Sequence, residues 1–322
     1  MPASLPTLAE LEAAAALIRP HVPPTPQFSW PLLNTRTGGE LWLKHENHSP
    51  IGSFKARGGL VYLDALVRAQ PGVRGIVAAT RGNHGQSVTF AARRHGLRAV
   101  MVVPRGNSRG KNAAMRALGA ELVEHGDDFT AALEHSRQLA AEQGLHPMPS
   151  YHRQLVVGVG TYALEFFRGA PPLDAVYVPI GLGSCIGAVL AARAALGLPT
   201  RVIGVVSAQA PGYALSFAAR RVIPHPVSTR IADGAAVREG DPAALEHILA
   251  GVERIVQVTD DEVEAAMRAL FTDTHNVVEG SGALGLAAVL QERAAVAGRR
   301  VGAVLTGGNV DRAVFARVLS AS

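Results

Sequence analysis

The 322-residue sequence has little cysteine, few aromatic residues and no long run of like charge. Its single cysteine, Cys185, excludes an intrachain disulfide and is typical of a protein from a reducing compartment. Aromatic residues make up 5% of the chain and no basic helix or aromatic-basic repeat is present, which disfavours nucleic-acid binding. The net charge of +5 arises from 31 basic and 26 acidic residues that are scattered, and it indicates general solubility with mild attraction to anionic ligands.

Sequence signals for a metal centre, export or a membrane span are also missing. The twelve histidines follow neither a Cys/His nor a His-Glu-x-x-His spacing, so we expect no zinc site. The first residues include Glu10 and Glu12 and lack a secretory signal, which predicts a cytoplasmic protein. Residues 175–192 carry no charge over about the length of a membrane helix. Because a proline and several glycines interrupt them, we interpret this stretch as a strand, a glycine turn and a buried helix.

The sequence does contain a regular alternation of strand and helix patterns. Short runs rich in Val, Ile and Ala are separated by segments of helical period, and Thr7 and Glu10 form a capping box before the first helix. Buried strands that alternate with helices are typical of parallel sheets covered on both faces, so we predict an α/β fold with two doubly wound parallel-sheet domains. A long loop is predicted over 222–242. The predicted strands are 41–44, 75–79, 99–104, 120–124, 175–180, 201–208, 254–258 and 301–305.

Four glycine-bounded segments carry the functional signals. Lys55 and Asn83 each stand in a glycine-flanked turn, Gly-Leu-Gly-Ser occupies 181–184, and Thr306 precedes two glycines. Open parallel sheets bind ligands at the carboxyl ends of their strands, where these segments are predicted to lie. A lysine, an asparagine, a phosphate-sized loop and a hydroxyl in one place would together hold pyridoxal phosphate, whereas any one of them alone would mean little.

The lysine and the asparagine each have a functional and an ordinary interpretation. Lys55 begins a predicted helix, where backbone N–H groups and the helix dipole lower a lysine pKa and favour the neutral amine that reacts with a carbonyl. A solvated lysine beside a helix cap is the alternative. Asn83 can donate its amide to a ligand oxygen, or it can simply cap the following helix.

The other two segments and the cysteine also have both a functional and an ordinary interpretation. The loop 181–184 can direct consecutive N–H groups at an anion where a helix begins, or it can be a plain glycine turn. The Thr306 hydroxyl can bond a pyridine nitrogen or cap the turn. Cys185 has no His or Asn pattern of a thiol enzyme near it, so we interpret it as a small buried hydrophobic residue.

In this order the segments resemble those of fold-type II pyridoxal-phosphate enzymes, in particular the serine/threonine dehydratase and serine racemase family. The run Gly-Ser-Phe-Lys-Ala-Arg-Gly at 52–58 is similar to the lysine motif of that family, and Gly-Asn-His-Gly-Gln at 82–86 to its asparagine loop. The blocks at 231–234, 278–280 and 305–311 resemble three more. The resemblance spans roughly residues 41–311, nearly the whole chain.

The resemblance implies a role for each motif residue and an organisation for the chain. Lys55 would be joined covalently to the cofactor and act as the catalytic residue, and the substrate carboxylate would meet Thr80, Asn83 and His84. A large cofactor-binding domain of residues 1–50 and 152–322 would hold a small mobile domain of residues 51–151, in a homodimer. The implied cofactor contacts are Lys55, Asn83, Gly181, Leu182, Gly183, Ser184, Cys185, Glu279 and Thr306. The implied substrate contacts are Ser53, Thr80, Arg81 and His84.

Arg81 and Ser207 are among the positions that depart from the family pattern. Arg81 stands where serine racemase has a serine that acts as an acid-base, and a permanently charged arginine is unsuited to that work. It could instead clamp a second carboxylate, or point into solvent. Ser207 stands where metal-dependent relatives carry a glutamate ligand, so a Mg²⁺ or Ca²⁺ site is not expected.

The sequence therefore predicts a pyridoxal-phosphate-dependent ammonia-lyase that removes water from a β-hydroxy amino acid of the L-threonine or L-serine type. A hydroxyl from Thr306 at the ring nitrogen would not hold it protonated as a carboxylate would, which favours β-elimination. A dehydratase of threo-3-hydroxyaspartate is the alternative that Arg81 suggests. A serine racemase, a β-replacing synthase and a silent cofactor-binding module are less favoured. The expected partners are a small amino-acid substrate and a second copy of the chain, with no nucleic acid and no membrane.

Overall fold

The computed structural model describes residues 4–321, whose strands form two sheets. All neighbouring strands of these sheets are parallel except the pair at one edge of the larger sheet, where the first strand runs antiparallel to the second and Gln27 faces Lys44. The larger sheet is, in spatial order, β1 (Gln27–Ser29), β2 (Glu40–His45), β10 (Arg300–Leu305), β7 (Ala175–Pro179), β8 (Arg201–Ser207) and β9 (Arg254–Val258). The smaller sheet is β5 (Glu121–Glu124), β4 (Arg98–Val103), β3 (Gly75–Ala79) and β6 (His146–Pro147).

Helices connect most of these strands, and polar side chains cap several of their ends. The predicted capping box forms at the first helix, where Thr7 Oγ1 accepts from the Glu10 N–H and the Glu10 carboxylate accepts from the Thr7 N–H. In the described residues the helices are α1 (Leu8–Ile18), α2 (Pro31–Thr37), α3 (Lys55–Ala69), α4 (Asn83–Ala92), α5 (Arg109–Ala117), α6 (Phe129–Gln143), α7 (Arg153–Gly169), α8 (Ser184–Ala195), α9 (Gly212–Ala219), α10 (Pro242–Gly251), α11 (Asp260–Thr274), α12 (Gly280–Gln291), α13 (Arg293–Val296) and α14 (Arg312–Ser320).

Both faces of the central strands of each sheet are buried, and alternate residues of a strand face opposite layers. Val176 and Val178 of β7 pack in a cluster with α7, α8 and α10, whereas Tyr177 packs with α11 and α12. In the smaller sheet Ile76 packs against α3 and α4, and Val77 packs against α6. Each fully buried aliphatic side chain contributes about 1.5–3 kcal/mol, so these layers hold the strand ends in fixed positions.

The predicted α/β class with two parallel sheets is confirmed. The strands at 75–79 and 254–258 have the predicted bounds, and residues 175–192 form β7, a turn and most of α8. In the part of the chain that the structure describes, no helix is long and apolar enough to cross a membrane. The antiparallel β1 was not predicted, because three residues are too few for a periodic pattern. The division into domains at residues 51 and 151 stays a prediction, although the strands of the smaller sheet all lie between them.

Candidate active site

The lysine segment and the threonine segment are joined by backbone hydrogen bonds at the carboxyl edge of the larger sheet. The Phe54 N–H donates to the carbonyl of Thr306 at 3.1 Å, and the Gly308 N–H donates to the carbonyl of Gly52 at 2.9 Å. Ser53 and Gly307 form an isolated β-bridge between these two bonds. This pairing brings the first residue of α3, Lys55, beside the end of β10.

The amine of Lys55 has no charged partner among residues 4–321. Its Nζ lies 4.9 Å from the centroid of the Phe54 ring, and the Phe54 ring contacts Tyr162 edge-on. Burial lowers the pKa of Lys55 below its ordinary value, more than the nearby Cys185 and Glu279 raise it. Lys55 is the first residue of α3, whose positive dipole end acts in the same direction. The site therefore favours a neutral, nucleophilic amine.

A buried ion network fixes the helix that carries this lysine. Arg57, two residues after Lys55, is fully buried and makes paired hydrogen bonds of 2.7–3.0 Å with the carboxylates of Glu46 and Glu165. Lys44 Nζ donates to the same Glu165 at 2.7 Å. Burial lowers the pKa of Arg57, but the two carboxylates outweigh it and raise the pKa above its ordinary value. Paired charges of this kind hold a geometry more than they add stability, which suits a helix that must place one amine.

Asn83 is held by hydrogen bonds on both sides of its amide. Its Nδ2 donates to Glu279 Oε1 at 2.5 Å, and its Oδ1 accepts from Asn309 Nδ2 at 2.9 Å. Asn309 Nδ2 also donates to the carbonyl of Ile51 at 2.8 Å. Because an amide nitrogen has two hydrogens, Asn83 retains one N–H for a ligand oxygen.

A lysine that was not predicted from sequence, Lys111 of α5, supports this arrangement. Its Nζ lies 2.7 Å from Asp233 Oδ2 and 3.1 Å from Glu279 Oε2. Burial raises the pKa of Glu279 despite Lys111, and the two carboxylates raise the pKa of Lys111 despite its burial. Gly82 has φ +149°, and a Cβ at that position would collide with the Lys111 side chain. The glycine is therefore required both by its own backbone and by this neighbour.

The glycine loop before α8 presents backbone amides. Gly187 is the first residue to donate within the helix, to the carbonyl of Gly183, so the preceding N–H groups of α8 have no helical partner. Gly183 has φ +113° and lies against Ala244, where a side chain would collide. Free amides at a helix N-terminus form a site for an anion such as a phosphate. Cys185 lies at this end of α8 and is buried, and burial raises the pKa of its thiol to about 12, so it is neutral at pH 7.

The side chains predicted to bind the substrate differ in whether their polar atoms are already hydrogen-bonded. His84 Nε2 and Ser53 Oγ are buried without a hydrogen-bond partner among the described residues. Burial and, to a lesser degree, Lys55 lower the pKa of His84 to about 3, so the imidazole is neutral at pH 7. The Thr80 hydroxyl accepts from the N–H groups of Gly82 and Gly85 and so shapes the turn.

Thr306 and Arg81 differ in how firmly they are held. Thr306 is buried and its hydroxyl makes a long hydrogen bond of 3.4 Å to the carbonyl of Ser281, which leaves it free to turn to a stronger partner. Arg81 is exposed and has neither an ion pair nor a hydrogen bond with any of residues 4–321. Arg81 is therefore held less firmly than the buried Thr306.

Ser207 lies at the position where the family resemblance places a glutamate ligand in metal-dependent relatives, and it has no carboxylate. Ser207 Oγ donates to Gln209 Oε1 at 3.2 Å and accepts from the Gln209 N–H at 3.1 Å. No cluster of three or more His, Cys, Asp and Glu side chains suited to a metal ion occurs within residues 4–321. A hydroxyl engaged with its neighbour is a poor ligand for Mg²⁺ or Ca²⁺, so this position does not fit the cation of metal-dependent relatives.

Comparison with known proteins identifies the class to which this site belongs. Residues 18–307 match the family model described as pyridoxal-phosphate dependent enzyme, and the chain belongs to that family. It is 32% identical to an L-threonine ammonia-lyase of Thermotoga maritima over 317 residues, which cover 98% of this chain and 78% of that protein.

Two solved structures are similar over nearly their whole length. A threonine deaminase from the organism abbreviated T.th. superposes with a TM-score of 0.88 at 34% identity, over 95% of this chain and 99% of that one. A pyridoxal 5'-phosphate-dependent aspartate racemase superposes with a TM-score of 0.90 at 28% identity, over 97% of this chain and 98% of that one. The predicted family is confirmed.

The geometry of the site fits the cofactor of the family. A buried amine with a lowered pKa at Lys55, free amides at the start of α8 and a spare N–H on Asn83 match an aldehyde, a phosphate and a ring oxygen. The unpaired polar atoms Ser53 Oγ, His84 Nε2 and Ser281 Oγ are further sign of a polar ligand, because buried polar groups are normally hydrogen-bonded.

Proposed function

We propose that this chain is an ammonia-lyase that removes water from a β-hydroxy amino acid of the L-threonine or L-serine type and produces a 2-oxo acid and ammonia. The observation that carries the proposal is the unpaired Lys55 amine with its lowered pKa, next to the amide-rich start of α8. The named activities of the ammonia-lyase and the deaminase described above support the substrate type.

Lys55 has two tasks in this proposal. Its amine, whose pKa burial lowers, would hold the cofactor through its aldehyde, and the same amine, once free, would take the α-proton of the substrate. When bound, pyridoxal phosphate withdraws electrons from the bonds at the α-carbon. Lys55 would take the α-proton, the bond from the β-carbon to oxygen would break, and in the net reaction the α-proton and the β-hydroxyl would leave together as water. The enamine that is released takes up water and yields the 2-oxo acid and ammonia.

The remaining residues bind and orient. The amides of Gly181, Leu182, Gly183, Ser184 and Cys185 would hold the phosphate, and Asn83, supported by Glu279, would donate to the ring oxygen. Thr306 would offer an uncharged hydroxyl to the ring nitrogen. The substrate carboxylate would meet Ser53, Thr80 and His84, and the imidazole, whose lowered pKa keeps it neutral, would offer a hydrogen bond without adding a positive charge.

The organisation of the enzyme is part of the same proposal. Residues 51–151 form a small domain that moves against the large domain of residues 1–50 and 152–322 and excludes water on closing. Two contacts support a closed form, since Asp311 Oδ1 accepts from Ser108 Oγ at 2.8 Å and from the Gly110 N–H at 3.0 Å across the two parts. We further propose a homodimer, as the family resemblance implies, and a cytoplasmic location, which the single cysteine favours.

The proposal is tested by a chemical label and a substrate panel. Borohydride treatment of the purified protein with pyridoxal phosphate should leave a reduced pyridoxyl adduct on Lys55, detected by peptide mass spectrometry, and none in Lys55→Ala. Release of 2-oxo acid is then measured with threonine, serine, both 3-hydroxyaspartate diastereomers and phenylserine, without a second substrate. Absence of the adduct would contradict the cofactor assignment, and an adduct without 2-oxo acid from any of these substrates would contradict the lyase reaction.

Arg81 favours a second candidate, a dehydratase of 3-hydroxyaspartate. This exposed residue lies between Thr80 and the Gly82–Asn83 turn with no acidic partner among the described residues, so its guanidinium is free to bind a second carboxylate. The aspartate racemase with a similar structure is named for a dicarboxylic amino acid. An arginine at this position also disfavours a racemase, because it is always protonated and cannot act as a base.

A further inference from the structure

A buried tyrosine joins the glycine loop to the helix that packs against it. Tyr213 of α9 is 3% exposed, its hydroxyl donates to the carbonyl of Leu182 at 3.0 Å, and it accepts from the Asp241 N–H at 2.9 Å. Both partners are backbone groups, so the hydroxyl is satisfied and cannot turn away without leaving two half-buried backbone groups unpaired. Burial raises the pKa of Tyr213 above its ordinary value, which keeps the hydroxyl protonated as a donor.

The residues packed around the Tyr213 ring restrict it to one position. A Cβ at Gly240 would meet the Tyr213 ring from Cε1 to Cζ at 2.8–2.9 Å, so only a glycine there admits the aromatic side chain. Asp241 is itself held, because its carboxylate accepts from the N–H groups of Ala243 and Ala244 and caps α10. The Ala244 side chain in turn abuts Gly183. The tyrosine, the α10 cap and the glycine loop are therefore one packed unit.

The hydrogen bond to Leu182 has a geometric consequence for the next residue. In a trans peptide the carbonyl and the following N–H point in opposite directions, and the described residues contain no cis peptide bond. Holding the Leu182 carbonyl on the Tyr213 side therefore directs the Gly183 N–H away from Tyr213. A second tyrosine acts at the far end of the loop, where the Tyr162 hydroxyl donates to the Cys185 carbonyl at 3.3 Å.

We infer that Tyr213 is a positioning residue for phosphate binding, which orients the Gly183 N–H toward the phosphate of the cofactor. The inference rests on the proposed function, in which this loop holds the phosphate. It also gives the loop a support that is independent of a divalent cation, since a hydroxyl and a backbone N–H supply the contacts. Tyr213 would touch neither the substrate nor the reacting atoms.

The test compares a cofactor with and without its phosphate. Tyr213→Phe removes the hydroxyl and keeps the ring, and Tyr177→Phe is the matched control, because Tyr177 is equally buried but its hydroxyl donates to Glu292. The dissociation constants of pyridoxal phosphate and of pyridoxal are measured by fluorescence titration of the apoenzymes. We expect Tyr213→Phe to raise the dissociation constant of pyridoxal phosphate about tenfold, which is the change that loss of one well-placed hydrogen bond produces. The dissociation constant of pyridoxal should stay within about twofold of the wild-type value. Tyr177→Phe should change neither.

The outcomes separate the inference from the proposed function. If the wild-type protein binds the cofactor but Tyr213→Phe binds both ligands equally less tightly, the role of Tyr213 is overturned. The same holds if Tyr213→Phe binds pyridoxal phosphate as tightly as the wild type. Failure of the wild-type protein to bind pyridoxal phosphate would instead overturn the proposed function. Gly240→Ala provides a second variant that displaces the ring but keeps the hydroxyl, and it should show the same selective loss.

Discussion

Lys111 and Glu279 form an ion pair of 3.1 Å that connects the α5 helix to the residue supporting Asn83. Because Glu279 is buried, its negative charge depends on this ammonium, and Lys111 links it to Asp233 as well. The proposed cofactor site therefore includes a cation from a helix that carries none of the family motifs.

Replacing Lys111 with methionine should destabilise the protein and impair catalysis. The change leaves Glu279 without its cation in a buried position, and loss of one partner of a buried pair costs about 3–5 kcal/mol. The free energy of unfolding is measured by urea denaturation, with Arg105→Ala as the control, since the Arg105–Asp127 pair is exposed and should contribute under about 1 kcal/mol. Similar losses in the two variants would argue against the importance of the Lys111 pair.

Replacing Gly82 with alanine should be more harmful than the same change at Gly96. Both glycines have positive φ, but a Cβ at Gly82 meets the Lys111 side chain, whereas a Cβ at Gly96 meets nothing within 4 Å. Gly96→Ala is expected to cost about 1–2 kcal/mol for its backbone alone. Thermal and urea unfolding should reveal a larger loss for Gly82→Ala, together with lower lyase activity. Equal losses would mean that Lys111 moves aside freely.

His45 should make stability fall in acid. Burial, with a smaller effect of His48, lowers the pKa of His45 to about 4, whereas the unfolded chain has an ordinary value near 6.5. Between these values the unfolded state binds a proton that the folded state does not, so the free energy of unfolding decreases as the pH falls from about 6.5 to 4, by up to about 1.4 kcal/mol per pH unit.

The histidine effect is isolated by subtraction, because carboxyl groups also titrate in this range. The difference in unfolding free energy between the wild type and His45→Gln should shrink steadily between pH 7 and pH 4. A constant difference for His45→Gln would contradict a depressed pKa.

Arg81 should determine whether a second carboxylate is accepted. If the guanidinium binds it, Arg81→Ala should lower kcat/KM for 3-hydroxyaspartate by about 10- to 100-fold, the effect of losing a charged hydrogen bond, and change kcat/KM for threonine little. Arg81→Lys should recover part of the loss, because lysine keeps the charge but not the paired geometry. Unchanged activity of Arg81→Ala on hydroxyaspartate would remove the reason for this substrate.

Much of the fold and part of the site could be predicted from local patterns. The strands 75–79 and 254–258 and the Thr7–Glu10 capping box depend on residues adjacent in sequence, and all three appear where expected. The short strand β1 and the two-residue β6 could not be predicted, since each exists only because a neighbouring strand pairs with it. The roles of Lys55 and the other motif residues stay predictions until a ligand is observed.

The motifs around Lys55, Asn83 and Thr306 were enough to identify the family and its cofactor by resemblance, because each motif consists of residues that are adjacent in sequence. The contacts of Lys111 with Glu279 and of Tyr213 with Leu182 became visible only in the folded chain. Each contact joins residues far apart in sequence, and the residues adjacent to Lys111 and to Tyr213 give no sign of the contact. The energies of these two contacts depend on burial and on distances of about 3 Å. Both are determined by how the helices pack against the two sheets.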